Sequence, residues 1–175
     1  ILVIFTEQKN LKMKNGSYFS TGNHPVEALL PMLHLKNAGF EFEIATPTGK
    51  PVVFEMWAFP EQDEHVKSIY KEFQNNFENP LKLSDFIATS LDHSESYAAV
   101  FIPGGHGAII GIPEDKNVAE ILRWAHQKDV FTITLCHGPG AFLSTTLDDQ
   151  EFLYKGYSMA VFPDSMDNQT PMFGY

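Results

Sequence analysis

The chain has 175 residues, 43% of them hydrophobic, which is enough for one well-buried core and too few for two independent domains. Twenty-two acidic against 12 basic residues give a formal charge of −10, and Arg123 is the only arginine, so no phosphate-binding surface is evident and nucleic acid is not an expected partner. One cysteine excludes an internal disulfide framework, and no run approaches the roughly 18 apolar residues that span a bilayer, so the composition reads as a cytoplasmic protein with no membrane partner.

Ile1 to Phe5 is a continuous apolar run, as expected of a strand buried on both faces. The sequence starts inside that strand and stops at Phe173-Gly174-Tyr175 without a closing element, which predicts that it is the middle of a longer polypeptide. A helix is predicted from Pro25 to Asn37, with proline at its first position, Gly39 closing it, and Val26, Leu29, Leu30 and Leu33 facing the core. Phe42 to Thr46 is the second strand.

Residues 50–92 break the alternation. They are polar, aromatic and helical in pattern over Glu64–Phe77 and Leu81–Ser90, interrupted at Asn79-Pro80. An insertion of that size reads as a cap over the C-terminal edge of the sheet, where open α/β folds hold ligands, or as a solvent-facing decoration. Strands follow at Tyr97–Ile102 and Val130–Leu135, with an amphipathic helix at Asn117–Lys128 carrying Val118, Ile121, Leu122 and Ala125 between them. Strands alternating with helices predict an α/β fold: a parallel sheet sandwiched between helices, flavodoxin-like, in one domain over residues 1–175.

Cys136 stands where the last of these strands meets a helix expected to open at His137-Gly138-Pro139-Gly140. Such an elbow lifts a side chain out of the sheet toward unpaired backbone N–H groups, which favour an anion and make a thiol easier to ionise. A buried structural cysteine is the bland alternative. His137 can carry the sulfur's proton if a carboxylate fixes its orientation, and Asp164 and Asp167 are equally eligible from composition. Glu27, in the opening turn of the first helix, either complements the helix dipole or reaches the thiol from the same sheet edge. In the second role it holds a proton beside sulfur and serves as general acid or base. Gly104-Gly105-His106-Gly107 follows a strand directly, so the N–H groups of Gly105 and His137 are candidates for an oxyanion hole, with Gly104 and His106 lining the substrate. The loop lacks dinucleotide spacing, so no nicotinamide cofactor is expected. His24, Glu27 and His34 have near-helical spacing, but helix-start and surface roles are expected of the two histidines, and no metal is predicted.

Taken together, Asn23-His24-Pro25-x-Glu27, Pro103-Gly-Gly-His-Gly107, Leu135-Cys-His-Gly-Pro139 and Phe162-Pro163-Asp164 resemble the cysteine branch of the class I glutamine amidotransferase-like superfamily, with its PfpI-type proteases and Parkinson-associated deglycase. Within that branch the similarity runs to bacterial heat-shock proteins described as holding chaperones, glutathione-independent glyoxalases (glyoxalase III) and protein deglycases. It extends over essentially the whole chain, including Phe19–Pro25 and Phe54–Pro60. The resemblance implies Cys136 as nucleophile, His137 and Asp167 completing a Cys-His-Asp arrangement, and Glu27 as the acid at the sulfur. It also implies a cofactor-free conversion of methylglyoxal to D-lactate, glycated or unfolded proteins as partners, and a homodimer in the full-length form. A chaperone without catalysis and a cysteine peptidase or amidase are the competing functions. Metal-binding members use a two-histidine, one-carboxylate set; here Glu41 fits the carboxylate, but the histidine positions fall on Lys36 and Phe73.

Overall fold

The computed structural model describes residues 1–91 and 96–168. In chain order the strands are β1 (Leu2–Ile4), β2 (Asn10–Lys12), β3 (Tyr18–Ser20), β4 (Glu43–Thr46), β5 (Leu81–Lys82), β6 (Ala99–Ile102) and β7 (Phe131–Thr134). The helices are α1 (Pro25–Asn37), α2 (Glu64–Glu78), α3 (Leu83–Ser90), α4 (Lys116–Gln127) and the short α5 (Asp164–Asp167). Five strands make a parallel sheet in the order β5-β4-β1-β6-β7, with Val3 in register with Ile44 on one side and Phe101 on the other. The remaining two, β2 and β3, form an antiparallel hairpin outside it.

Side chains of a strand alternate between faces, so a strand apolar at every position needs a core on both. Leu2, Ile4, Val100 and Ile102 face α3 and α4, in a cluster with Phe86, Val118, Ile121 and Leu122. Ile1, Val3, Phe5 and Phe101 face α1 and α2, in a cluster with Leu29, Met32, Ile69 and Phe77. On α4, Asp115 caps the first turn, accepting from the N–H groups of Asn117 at 2.8 Å and Val118 at 3.1 Å.

Three expectations are corrected. The fully buried stripe of α1 is Pro25, Ala28, Leu29 and Met32, while Val26, Leu30 and Leu33 are only partly buried, Leu30 and Leu33 packing against the margin of the same cluster. The predicted helix from Leu81 begins instead at Leu83, since Leu81 and Lys82 pair with Ala45 and Thr46 as an edge strand. Part of residues 50–92 therefore joins the main sheet. The helix expected after Cys136 is a 3-10 segment, Gly138–Asp149, broken at Leu147 and Asp148. Pro139 supplies no N–H, and the hydroxyls of Thr145 and Thr146 each donate to a carbonyl three residues back, at 2.8 Å, which favours the tighter coil.

The chain leaves β1 toward β4 on one side and returns to β6 on the other, so the crevice at the ends of β1 and β6 is the switch point of the sheet. Asn23 pins its floor: its Oδ1 accepts the Thr6 N–H at 3.0 Å, and its Nδ2 donates to Thr6 O at 3.0 Å and Val53 O at 2.7 Å. The next residues start α1 at that crevice.

Candidate active site

Three chain segments meet at the switch point. Glu27 comes from the first turn of α1, Gly104 and Gly105 from the end of β6, and Cys136 from the end of β7. The two loops are tied by the His24 N–H donating to Gly104 O at 2.9 Å and the Gly107 N–H donating to Gly22 O at 3.0 Å. Cys136 has φ +52, left-handed for an L-residue, as the elbow demands; such backbone costs about 1 kcal/mol or more.

Glycine is required at Gly104. A Cβ there would sit on Glu27 Oε2 and lie 2.5 Å from Cys136 Cβ, so Glu27 and Cys136 crowd the same face of one backbone atom. Oε2 of Glu27 is buried without a hydrogen-bond partner among the described residues, an orphan that a reacting proton or substrate atom would satisfy.

Sγ of Cys136 lies 3.3 Å from Nδ1 of His137, whose Nε2 contacts Asp167 at 2.8 Å (Oδ2) and 3.0 Å (Oδ1). Asp167 belongs to α5; Asp164, the other eligible acid, instead accepts from the Asn168 side chain at 2.8 Å. The Phe162 N–H donates to Cys136 O at 3.0 Å, and its ring lies over the His137 imidazole, centroids 4.4 Å apart.

Backbone N–H groups of Gly105 and His137 reach the sulfur. They pull the thiol down, but burial and the Glu27 carboxylate outweigh them and push it up to about 11. The expectation of an easily ionised thiol is thereby corrected: burial first, and the neighbouring Glu27 carboxylate second, disfavour the thiolate more than the backbone N–H groups favour it.

Glu55 was not anticipated. Its side chain is buried, accepting from the Thr21 hydroxyl at 2.9 Å and the His106 N–H at 3.1 Å, with Nδ1 of His106 at 3.6 Å from the same oxygen. Nε2 of His106 lies 3.0 Å from Asp167 Oδ1. Burial works against protonating His106, but Glu55 and Asp167 raise it above its usual value. With its N–H taken by Glu55, His106 does not offer that group to an oxyanion. The only local signal for Glu55 was an acid inside the apolar run Val52–Phe59.

His24 precedes α1 and His34 is exposed in its last turn. At the positions where the resemblance would put metal ligands, Lys36 pairs with Glu72 at 2.6 Å and Phe73 packs edge-on against Phe42. An ammonium has no lone pair to give and a phenyl ring offers no donor atom, so these residues do not fit that metal.

A cavity of about 300 Å³ opens beside the sulfur, lined mainly by apolar groups such as Ile109, Leu143, Val161 and Phe162. A larger groove, lined by Phe131, Thr132 and Tyr154, runs along the outer edge of β7 away from Cys136. The family model described as the DJ-1/PfpI family matches residues 18–151, which span α1, the Gly104-Gly105 loop and the Cys136 elbow. The chain belongs to the DJ-1/PfpI family. One relative within reach of this DJ-1/PfpI chain is the protein/nucleic acid deglycase HchA of Escherichia coli O157:H7, 51% identical over 175 residues, 100% of this chain and 61% of that protein. The chain thus spans about three-fifths of the relatives it matches. Glyoxalase III from Candida albicans superposes with a TM-score of 0.68 at 27% identity, covering 89% of this chain and 64% of the other. The Rapid Encystment Protein of Francisella tularensis does so at 0.71 and 17% identity, covering 87% and 64%. These neighbours share the flavodoxin-like α/β fold of the DJ-1/PfpI chain.

Proposed function

We propose that the chain is the catalytic part of a glutathione-independent glyoxalase that converts methylglyoxal to D-lactate, with related deglycase activity on early glycation adducts. The observation that carries this reading is the meeting of Cys136 and Glu27 across Gly104, with the N–H groups of Gly105 and His137 aimed at the same sulfur.

Cys136 gives its thiol proton to Nδ1 of His137, 3.3 Å away, as sulfur adds to the aldehyde carbon of the substrate, C1, and the imidazolium returns that proton to the resulting oxyanion. Glu27 then removes the C1 hydrogen and returns it at C2 through an enediol, so C1 is oxidised to the acid level while C2 is reduced to the alcohol. The product of that step is a thioester on Cys136. Water, its proton accepted by His137 with Asp167 holding the ring, displaces the sulfur and releases the 2-hydroxy acid. Methylglyoxal plus water gives lactate, with no external oxidant and no cofactor. The cavity fits this substrate: small, apolar around the methyl group, and lined by no lysine or arginine among the described residues.

Glycated side chains carry the same carbon skeleton, and glycated proteins are the larger substrates of this reading. The HchA relatives' name adds nucleic acid; on a chain of charge −10 such a substrate is recognised at its adduct rather than by its phosphates. Among the described residues no helix is long and apolar enough to cross a membrane.

Assaying D-lactate from methylglyoxal without glutathione tests the proposal, using the full-length protein with Cys136→Ser and Glu27→Gln. General acid–base catalysis sets the expected loss for Glu27→Gln at about 10²- to 10⁴-fold; wild-type rates in either variant reject the mechanism. A holding-chaperone reading rests on a separate observation, the exposure of Phe131 (76%), Leu143, Tyr157 and Val161. Suppressed aggregation that survives Cys136→Ser would make it an independent function. A peptidase reading predicts cleavage of small peptides, and their survival alongside methylglyoxal turnover rejects it.

A further inference from the structure

Asp167 Oδ1 lies 3.0 Å from Nε2 of His106 and 3.0 Å from Nε2 of His137, and one ligand atom from each residue falls within 4.8 Å of the others. The proposed reaction gives His106 Nε2 no task. We propose that the His106-His137-Asp167 triangle is a binding site for a zinc-like divalent cation, and that an ion there converts His137 from proton carrier to metal ligand and silences Cys136.

Bond lengths of about 2.0 to 2.2 Å in a tetrahedral zinc site put neighbouring ligand atoms roughly 3.3 to 3.5 Å apart. The His–Asp contacts of 2.8 to 3.0 Å need to open by a few tenths of an ångström for an ion to replace the shared hydrogens, and the two imidazole nitrogens, which lie within 4.8 Å of each other, need to settle at the same spacing. Two imidazoles and a carboxylate form a donor set typical of zinc, and they leave the fourth position to water. His106 and Asp167 are 28% and 32% exposed, so an ion has a path from solvent.

Glu55 provides the second observation. Imidazoles that bind a metal through one nitrogen commonly give the other N–H to a carboxylate, which fixes the tautomer. The buried Glu55 carboxylate, held by Thr21 and by the His106 N–H, lies 3.6 Å from Nδ1 of His106, a few tenths of an ångström outside hydrogen-bond reach and on the side of the ring away from Nε2.

Loss of reactivity follows from proton bookkeeping at His137. With its Nε2 lone pair on the cation, the neutral ring carries its hydrogen on Nδ1, which faces Sγ at 3.3 Å. It then has no lone pair for the proton of the thiol or of water. This site is separate from the Lys36, Glu41 and Phe73 positions, and it stands whether or not the glyoxalase reading does, because binding is read without turnover.

The test titrates the full-length protein with Co²⁺ as a visible probe and displaces it with Zn²⁺. Wild type and Cys136→Ser should each bind one equivalent with a tetrahedral d–d spectrum that lacks sulfur charge transfer, and zinc should displace it. His106→Gln and Asp167→Asn should each weaken binding at least about tenfold, with melting curves confirming the fold; the partly exposed Asp167 carries the test if the His106 variant misfolds. No binding by wild type, binding that survives in a folded His106→Gln or Asp167→Asn protein, or binding lost in Cys136→Ser would each overturn the proposal, the last placing the ion on the sulfur.

Discussion

Gly104→Ala is the most informative small change in this chain. Its φ lies outside the left-handed region, so alanine meets no backbone strain and the whole effect is steric. The added methyl carbon would overlap Glu27 Oε2 and lie 2.5 Å from Cys136 Cβ and 2.9 Å from Leu135 O. The Leu135 carbonyl is backbone at the end of β7 and cannot swing away, so the Glu27 carboxylate and the elbow must give. Overpacking of this kind costs roughly 1 to 3 kcal/mol, which for a domain of this size lowers the melting temperature by about 3 to 10 °C. Separating the acid from the sulfur by about 1 Å is expected to reduce kcat/KM near 10²-fold, the usual penalty for misplacing reacting groups. Calorimetry and the D-lactate assay on the full-length variant measure both. A protein that melts with wild type and turns over normally would show that the acid and the thiol do not meet across this glycine.

Two further predictions follow from other parts of the structure. Glu7 accepts from the Thr48 N–H at 3.0 Å and the Thr48 hydroxyl at 2.7 Å; burial opposes its charge, but these hydrogen bonds prevail and hold its carboxyl below the ordinary 4.5. A carboxyl lowered in the folded state stabilises it above its unfolded value and loses that contribution as pH falls through the folded one. Glu7→Gln should therefore lower the melting temperature at pH 7 and match wild type once the pH is well below 4.5; an equal deficit at both would refute the assignment. Phe162→Ala removes the ring lying over His137 but keeps the N–H that holds Cys136 O. A ring contact of about 0.5 to 1.5 kcal/mol corresponds to a roughly 2- to 10-fold fall in kcat, and an unchanged rate with unchanged stability would deny the ring a positioning role.

How much of this was legible in the sequence depends on how local each cause is. Strands apolar at every position announce burial on both faces, so Ile1–Phe5 and Tyr97–Ile102 were readable with errors of a residue or two at their ends. Leu81-Lys82 was not, because two exposed residues on a sheet edge carry no pattern; only their pairing with Ala45 and Thr46 makes them a strand. Nor was the hairpin β2–β3, although Asn15-Gly16 is a turn signal: its burial is too slight to alternate clearly. At the site, adjacency in sequence made Cys136 and His137 easy to read. The acid was a different matter, since Asp164 and Asp167 are one helical turn apart and only the path of the chain after β7 decides which meets His137. Glu55 and the second face of Asp167 were hidden for the same reason, each contact joining residues more than fifty positions apart.

The central claim, that Glu27 exchanges a proton with a carbon bound to Cys136, is tested most directly by mass spectrometry of full-length Glu27→Gln protein after exposure to methylglyoxal without glutathione. Addition to sulfur needs no carbon-bound proton to move, whereas everything after it does. The account predicts an adduct on the peptide carrying Cys136, lost in the Cys136→Ser, Glu27→Gln double variant, with lactate release slowed about 10²- to 10⁴-fold. Lactate formed at the wild-type rate, or an adduct that ignores Cys136, would contradict it.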